Sequence, residues 1–317
     1  MENQEYFTLQ EVSNLLDISI PRLESMIKKG VLAPVEMTNE GFLFSRDQLR
    51  FFEVAEWVFS SNWDEQIKIK PRRKYKSIEL FAGAGRMAIG LEKAGFSNVL
   101  LNEIDKYACE TLRLNRPNWN VLEGSIADID FKQYEGKIDL LTGGFPCQAF
   151  SSAGKKLGFN DTRGTLFFEF ARSIDEIKPK VFMGENVRGL FNHDGGKTLE
   201  TIKNVIDELG YFLVEPKVLK AMYYKLPQKR ERLFLVGIRK DLVSKIELFK
   251  FPEPFHRVLT VKDALTKGEL YEKDVPESQG DKYNEKKRNV MDLVPEGGYW
   301  KHLPDDVQRE YMGEVIT

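Results

Sequence analysis

The chain has 317 residues, 42% hydrophobic and 30% charged, with a net charge of −2, which is enough for one large domain and a small one with an ample core. That balance excludes a protein that coats polyanions generally, so any nucleic-acid surface has to be local. No apolar run is long enough to span a membrane, and the start MENQEYF has neither a basic nor an apolar leader region. The two cysteines, Cys109 and Cys147, form no zinc-like cluster with histidine and fit a reducing compartment. The expectation is a cytoplasmic protein with no membrane partner and no metal.

Residues 1–64 are expected to form a small domain of their own. Thr8, followed three residues later by Glu11, is a capping box that opens a helix over TLQEVSNLLD, with Val12, Leu15 and Leu16 as its apolar stripe. Asp17, Ile18 and Ser19 make a short turn into a second helix over 21–29, which has Pro21 in its first turn and Gly30 as its stop. A hairpin around Asn39, Glu40 and Gly41 follows, then a third helix from Ser45, capped by Ser45 and Gln48. This helix–turn–helix plus wing resembles the winged-helix domains of the MerR and excisionase type. The resemblance implies that the second helix contacts DNA, with Arg22, Ser25, Lys28 and Lys29 on its exposed side. Residues 65–76, EQIKIKPRRKYK, read as a polar, basic linker around Pro71.

From Ser77 onward, short apolar strands alternate with amphipathic helices. Strands are expected over 78–80, 99–101, 138–142, 181–183 and 233–238, and helices over 86–94, 165–177 and 198–209. In the last helix Leu199, Ile202, Ile206 and Leu209 share one face and Gly210 ends it. The rhythm predicts an α/β fold with a doubly wound parallel sheet, occupying 77–317. The first strand runs into IELFAGAGRMAIG (78–90), where Gly83 and Gly85 allow a tight turn and close ligand approach at a helix N-terminus. The second strand ends in NEID (102–105). An acidic residue there suits a ribose diol, and Glu103 is placed for it.

In DLLTGGFPCQAFS (139–151) a strand ends in two glycines, and a proline fixes the backbone ahead of the cysteine. Cys147 therefore lies on a loop at the carboxyl end of a strand, where α/β folds keep their chemistry, and is a candidate nucleophile. Downstream come GENVRGL (184–190) and QKRERLFLVGIR (228–239). Arg230 and Arg232 alternate at strand period, so both point to one face.

Taken in this order, these segments resemble the DNA (cytosine-5)-methyltransferases of bacterial restriction–modification systems, over about 77–239 and more weakly to 311. The resemblance implies a Rossmann-like methyltransferase sheet. It implies transfer of a methyl group from S-adenosylmethionine to carbon 5 of cytosine in duplex DNA, on a base flipped out of the stack. Phe81, Ala82, Gly83, Gly85 and Glu103 would hold the cofactor, and Ile104 would pack on its adenine. Ser125 and Ile126 of GSI, with Pro146 and Leu166, would complete that site. The family usually has aspartate where Ser125 stands, and serine can accept the same hydrogen bond; Arg86 stands where many members have a second glycine.

On the catalytic side the Cys147 thiolate would add to carbon 6 of the base. A free thiol ionises at pKa about 8.5, so positive surroundings matter. Glu185 would bond ring nitrogen 3 and the exocyclic amine as a general acid. Arg232 would reach the cytosine carbonyl, with Arg230 supporting the site. Phe145, Gln148, Ser151 and Gln228 would lie against the substrate, Ser151 near the target phosphate.

The family normally continues into a variable target-recognition region and a helix that closes the cofactor pocket beside the first strand. Neither is recognisable in this sequence, and the tail VPEGGYWKHLPDDVQREYMGEVIT resembles the run-in to the recognition region. The expectation is a truncated chain, a fragment, or the larger subunit of a split enzyme completed by a second polypeptide. Two alternatives remain open: a tRNA cytosine-5 methyltransferase, and a DNA-binding regulator with an inactive catalytic half. The N-terminal winged helix and the bacterial-style GGFPCQAFS argue against the first; intact Cys147, Glu185, Arg230 and Arg232 argue against the second, and the unrecognised C-terminal segments argue for it.

Overall fold

Capping chemistry fixes the first elements of the computed structural model, which describes residues 4–39, 41–146, 166–242, 244, 249–268, 270, 285–295 and 298–312. Strand β1 (Tyr6–Thr8) ends on Thr8, which caps α1 (Leu9–Leu16) in a reciprocal box with Glu11. Helix α2 (Ile20–Lys28) carries Pro21 in its first turn. Strands β2 (Glu36–Thr38) and β3 (Gly41–Ser45) form a hairpin with Thr38 opposite Gly41, and β3 lies between β1 and β2. Ser45 and Gln48 make a second capping box at α3 (Arg46–Leu49), which α4 (Glu53–Phe59) and α5 (Trp63–Gln66) follow.

A wound sheet follows: β4 (Tyr75–Leu80), α6 (Arg86–Lys93), β5 (Phe96–Glu103), α7 (Lys106–Asn115), β6 (Val121–Glu123), β7 (Leu140–Gly143), α8 (Leu166–Ile177), β8 (Val181–Val187) and α9 (Lys197–Glu208). Three more strands complete it: β9 (Tyr211–Leu213), β10 (Lys217–Lys220) and β11 (Glu231–Arg239). The order is β10-β11-β8-β7-β4-β5-β6, with β9 also paired to β11. Strands β4 to β8 run parallel, and β11 pairs antiparallel with β8, β9 and β10. The chain winds outward from β4 in both directions, so the order reverses between β4 and β7, the place where open α/β sheets bind ligands.

Strand alternation separates two faces. Ile78, Leu80, Leu141, Phe182, Leu233 and Leu235 meet α8 and α9, whose Phe167, Phe170, Ile174, Ile202 and Ile206 are all buried. Each such side chain contributes about 1.5–3 kcal/mol by burial. On the other face α6 and α7 cover β5 through Ala88, Leu101 and Leu112. The remainder of that face is an open apolar groove of about 850 Å³, lined by Tyr75, Phe96, Met183, Phe234, Val236 and Phe251 among others.

By packing, the chain divides into Met1–Thr260 and Val261–Thr317. The N-terminal elements share one core with the turn between β10 and β11: Val12, Leu15, Leu23, Phe44, Leu49 and Val58 enclose Met222 and Tyr223. The expected boundary at residue 64 thus runs between elements that bury side chains in common. The expected basic linker is also pinned, since Arg73 pairs with Asp139 at the start of the sheet. The second unit carries α10 (Val261–Leu265), α11 (Glu285–Met291) and α12 (Asp305–Met312), with Gln308 donating to the carbonyl of Leu303 at 2.7 Å. No helix among the described residues is long and apolar enough to cross a membrane.

Candidate active site

Two clusters of candidate side chains stand at the carboxyl ends of the parallel strands. The first is built on β4 and β5. Beyond Leu80 the backbone turns through Phe81 (φ 57°), Gly83 (φ 53°) and Gly85 (φ 83°) into α6. Gly83 has open space where a Cβ would stand, whereas a Cβ on Gly85 would meet Leu112 at 2.5 Å. Gly83 therefore suits close ligand approach, and Gly85 is required by packing against α7. Glu103 ends β5 and ties this loop down: one carboxylate oxygen accepts from the Gly83 N–H at 2.7 Å. The other accepts from Ile104 and Asp105 at 2.8 and 2.9 Å.

Ile104 next to it is 70% exposed, an apolar side chain kept in solvent beside an open backbone. Ser125 is half-buried and accepts from the Ala127 N–H at 3.2 Å, while Arg86 is exposed. These residues fit a nucleoside carrying a ribose diol: a carboxylate with spare lone pairs, an apolar platform and a glycine that leaves room. Two of the expected contacts are left to backbone atoms. Ile126 is buried in the main core, so its side chain cannot face a ligand. Ala82 is 6% exposed, which leaves only its backbone available.

The second cluster comes from β8 and β11. Their antiparallel register sets Phe234 opposite Glu185 and Arg232 opposite Val187. Directly opposed residues share a face, so Arg232 and Glu185 meet. The Arg232 Nε lies 2.8 Å from Glu185 Oε1, and Arg230 reaches the same oxygen at 3.8 Å. Glu185 is therefore a partly buried carboxylate between two guanidinium groups, at the rim of the sheet. Gly144 lies beneath it, since a Cβ there would come within 3.3 Å of Glu185 Oε2. Gln228 is exposed at the entry to this strand, and its carbonyl accepts from the Arg230 N–H at 2.9 Å.

Cys147, Gln148 and Ser151 lie outside the described residues. Pro146, just before them, is exposed, and Leu166, where the described residues resume, packs partly on the core. Phe145 is turned inward: its ring is 2% exposed and packs on Phe167 and Phe170, so its side chain is not presented at the surface.

Two buried asparagines escaped the sequence reading. Asn186 donates to the Phe145 carbonyl at 2.9 Å, anchoring the end of β7 to β8. Asn102 donates to the carbonyls of Leu122 and Gly124 at 3.1 and 3.0 Å, anchoring β5 to the Ser125 turn. Their signal was present, because a polar amide closing an apolar strand has to find partners. Among the described residues no group of histidine, cysteine, aspartate and glutamate is arranged to hold a metal ion.

Comparison with known proteins settles the lineage. The family model described as C-5 cytosine-specific DNA methylase matches residues 75–313. The chain belongs to that family. It is 55% identical over 310 residues to the type II methyltransferase M.Eco47II of Escherichia coli, covering 98% of this chain and 74% of that protein. It is 54% identical over 308 residues to M.PspPI of Psychrobacter sp. (strain TA137), covering 97% and 74%. It is 41% identical over 336 residues to M.Sau96I of Staphylococcus aureus, covering 99% and 75%. The chain thus spans about three quarters of the length of these methyltransferases. DNA cytosine methylation of the restriction–modification type is accordingly its function, favoured over tRNA methylation and over an inactive regulator. Membership in the family implies S-adenosylmethionine as the methyl donor.

Proposed function

We propose that this DNA methylase acts on carbon 5 of a cytosine flipped out of duplex DNA, with Cys147 as nucleophile and Glu185, Arg230 and Arg232 as its electrostatic partners. The observation that carries the reading is the grouping of Glu185 between Arg230 and Arg232 at the end of β8, the neighbour of β7, after which Pro146 and Cys147 follow in the sequence. Cytosine carbon 5 is a poor nucleophile. Addition of the Cys147 thiolate at carbon 6 forms a C–S bond and opens the 5,6 double bond. Glu185 delivers a proton to nitrogen 3 as that occurs, and Arg232 holds the carbonyl oxygen. Two guanidinium groups beside Glu185 also raise the local positive potential that favours a thiolate.

S-adenosylmethionine, when bound, supplies an electrophilic methyl group, and carbon 5 is then nucleophilic enough to accept it. The carbon 5 hydrogen afterwards leaves as a proton to solvent, the C–S bond breaks to regenerate the thiolate, and nitrogen 3 returns its proton to Glu185. Glu103 would hold the ribose diol, Ile104 the adenine face, and Gly83, Ser125, Pro146 and Leu166 the remaining edges of the cofactor. Ser151 and Gln148 would meet the DNA beside the flipped base.

The N-terminal elements are proposed as a DNA-contacting winged helix, supported by the exposure of Arg22 and Lys28 on α2. An additional apolar segment, on this polypeptide or a second one, is proposed to cover the groove beside β4. Its support is the extent of that groove and the greater length of the matched relatives.

The test is product analysis. The chain, alone and supplemented with the part of M.Eco47II that it does not match, is incubated with labelled S-adenosylmethionine and either duplex DNA or tRNA. Label recovered as 5-methylcytosine from DNA, mainly in the supplemented sample, is expected. Label confined to tRNA would overturn the reading.

A further inference from the structure

The carboxylate of Asp17 joins the N-terminal elements to the strand that carries the catalytic arginines. Lys220 closes β10 and Glu231 opens β11 directly opposite it, so residues 221–230 form a loop with Lys220 and Lys229 at its neck. Both lysines converge on one acid: Lys220 Nζ lies 2.8 Å from Asp17 Oδ2, and Lys229 Nζ lies 2.8 Å from Asp17 Oδ1. Arg230, next to Lys229, reaches Glu185, as does Arg232 two residues on. The same loop is anchored a second time. Tyr223 is buried among N-terminal side chains, donates its hydroxyl to the Leu15 carbonyl at 3.2 Å, and meets the Trp57 ring edge-on.

Asp17 itself sits in the left-handed region (φ 53°) at the end of α1, where its N–H bonds the Ser13 carbonyl. Its backbone is thus fixed before the lysines arrive. Burial pushes the Asp17 carboxyl up, but hydrogen bonds from Lys220 and Lys229 outweigh this and hold it below the usual range. An isolated surface ion pair contributes little. Here one partly buried carboxylate bridges two ammonium groups across the loop neck, with Glu231 Oε1 also 3.5 Å from Lys220 Nζ.

We propose that Asp17 is a positioning residue for the methyl-transfer site: by clamping Lys220 and Lys229 it holds Arg230 and Arg232 against Glu185. The N-terminal elements then form a fixed part of the catalytic frame in addition to any DNA contact of their own. This rests on the catalytic roles proposed above for Glu185, Arg230 and Arg232.

The variant Asp17→Asn isolates the charge, because asparagine accepts the left-handed backbone as readily as aspartate. In the full chain, hydrogen exchange of peptides spanning 221–232 is expected to quicken about tenfold, with peptides from β4 and β7 unchanged. Covalent capture on duplex DNA carrying 5-fluorocytosine, in the supplemented mixture, is expected to slow about tenfold, while S-adenosylmethionine affinity stays within about twofold. A general loss of structure would move all of these together. Exchange of 221–232 unchanged in Asp17→Asn would overturn the clamp. Faster exchange with undiminished capture would overturn its positioning role. Absence of capture by the unsubstituted chain would count against the catalytic reading instead, and exchange alone would then judge the clamp.

Discussion

Glu79 is the least expected residue in the sheet. It sits mid-strand in β4 at 3% exposure, and its Oε2 has no hydrogen-bond partner. Burial pushes its carboxyl up to about 8 from an ordinary 4.5. The folded protein therefore keeps a proton that the unfolded chain releases above pH 4.5. The associated stability is complete below that pH and is lost as pH rises through about 8. Thermal unfolding should show a decline across this window that Glu79→Gln removes; an identical decline in the variant would contradict the assignment. Glu103 makes the opposite case, a carboxylate with three backbone donors already in place. Glu103→Ala should weaken S-adenosylmethionine binding by about 1.5–3 kcal/mol, the cost of a charged hydrogen bond left unmade. Calorimetry measures it directly, and unchanged affinity would remove Glu103 from the cofactor site.

At the scale of elements, the turn from β4 into α6 depends on Gly85. Its positive φ and the 2.5 Å approach of Leu112 to a Cβ leave no room for alanine. Gly85→Ala should cost about 2–4 kcal/mol, combining left-handed strain with overpacking. Urea unfolding tests this, and a loss under about 1 kcal/mol would mean that α7 yields easily.

The five expected strands and three expected helices of the wound sheet correspond to β4, β5, β7, β8, β11, α6, α8 and α9, because each carries a periodic apolar pattern of its own. Both capping boxes were equally legible, since Thr8 with Glu11 and Ser45 with Gln48 are local signals. Helix α7 was not foreseen: it buries only Cys109 and Leu112, too sparse a stripe to register. Strands β1, β6, β9 and β10 are three or four residues long and exist by pairing with a longer neighbour. In the site, the alternation of Arg230 and Arg232 was readable, but their meeting with Glu185 depends on the β8–β11 register. The inward turn of Phe145 and Ile126 depends on tertiary packing, which no local pattern encodes.

At the scale of the whole molecule, the N-terminal elements and the sheet share a core. Met222 and Tyr223, from the loop before β11, fill the space between α1, α2 and α4. Deleting residues 1–64 would uncover these side chains and an apolar surface around them, the kind of patch that drives association. The remaining chain should aggregate or lose its cooperative unfolding transition. A soluble, monomeric 65–317 fragment with an unchanged melting transition would show that this shared core is dispensable. The groove beside β4 predicts a second dependence: activity of the 317-residue chain alone should be low and should rise when the remaining segment of a relative is supplied. Robust methylation by the chain alone would contradict that.

This DNA methylase is proposed to work through a covalent bond from Cys147 to cytosine carbon 6. Duplex DNA with 5-fluorocytosine throughout blocks the loss of the group on carbon 5 and should trap that bond. In the presence of S-adenosylmethionine and the supplementing segment, denaturing mass spectrometry should find protein joined to DNA through the peptide containing Cys147. Cys147→Ser should abolish the species. Its persistence in Cys147→Ser, or attachment through another residue, would contradict the account.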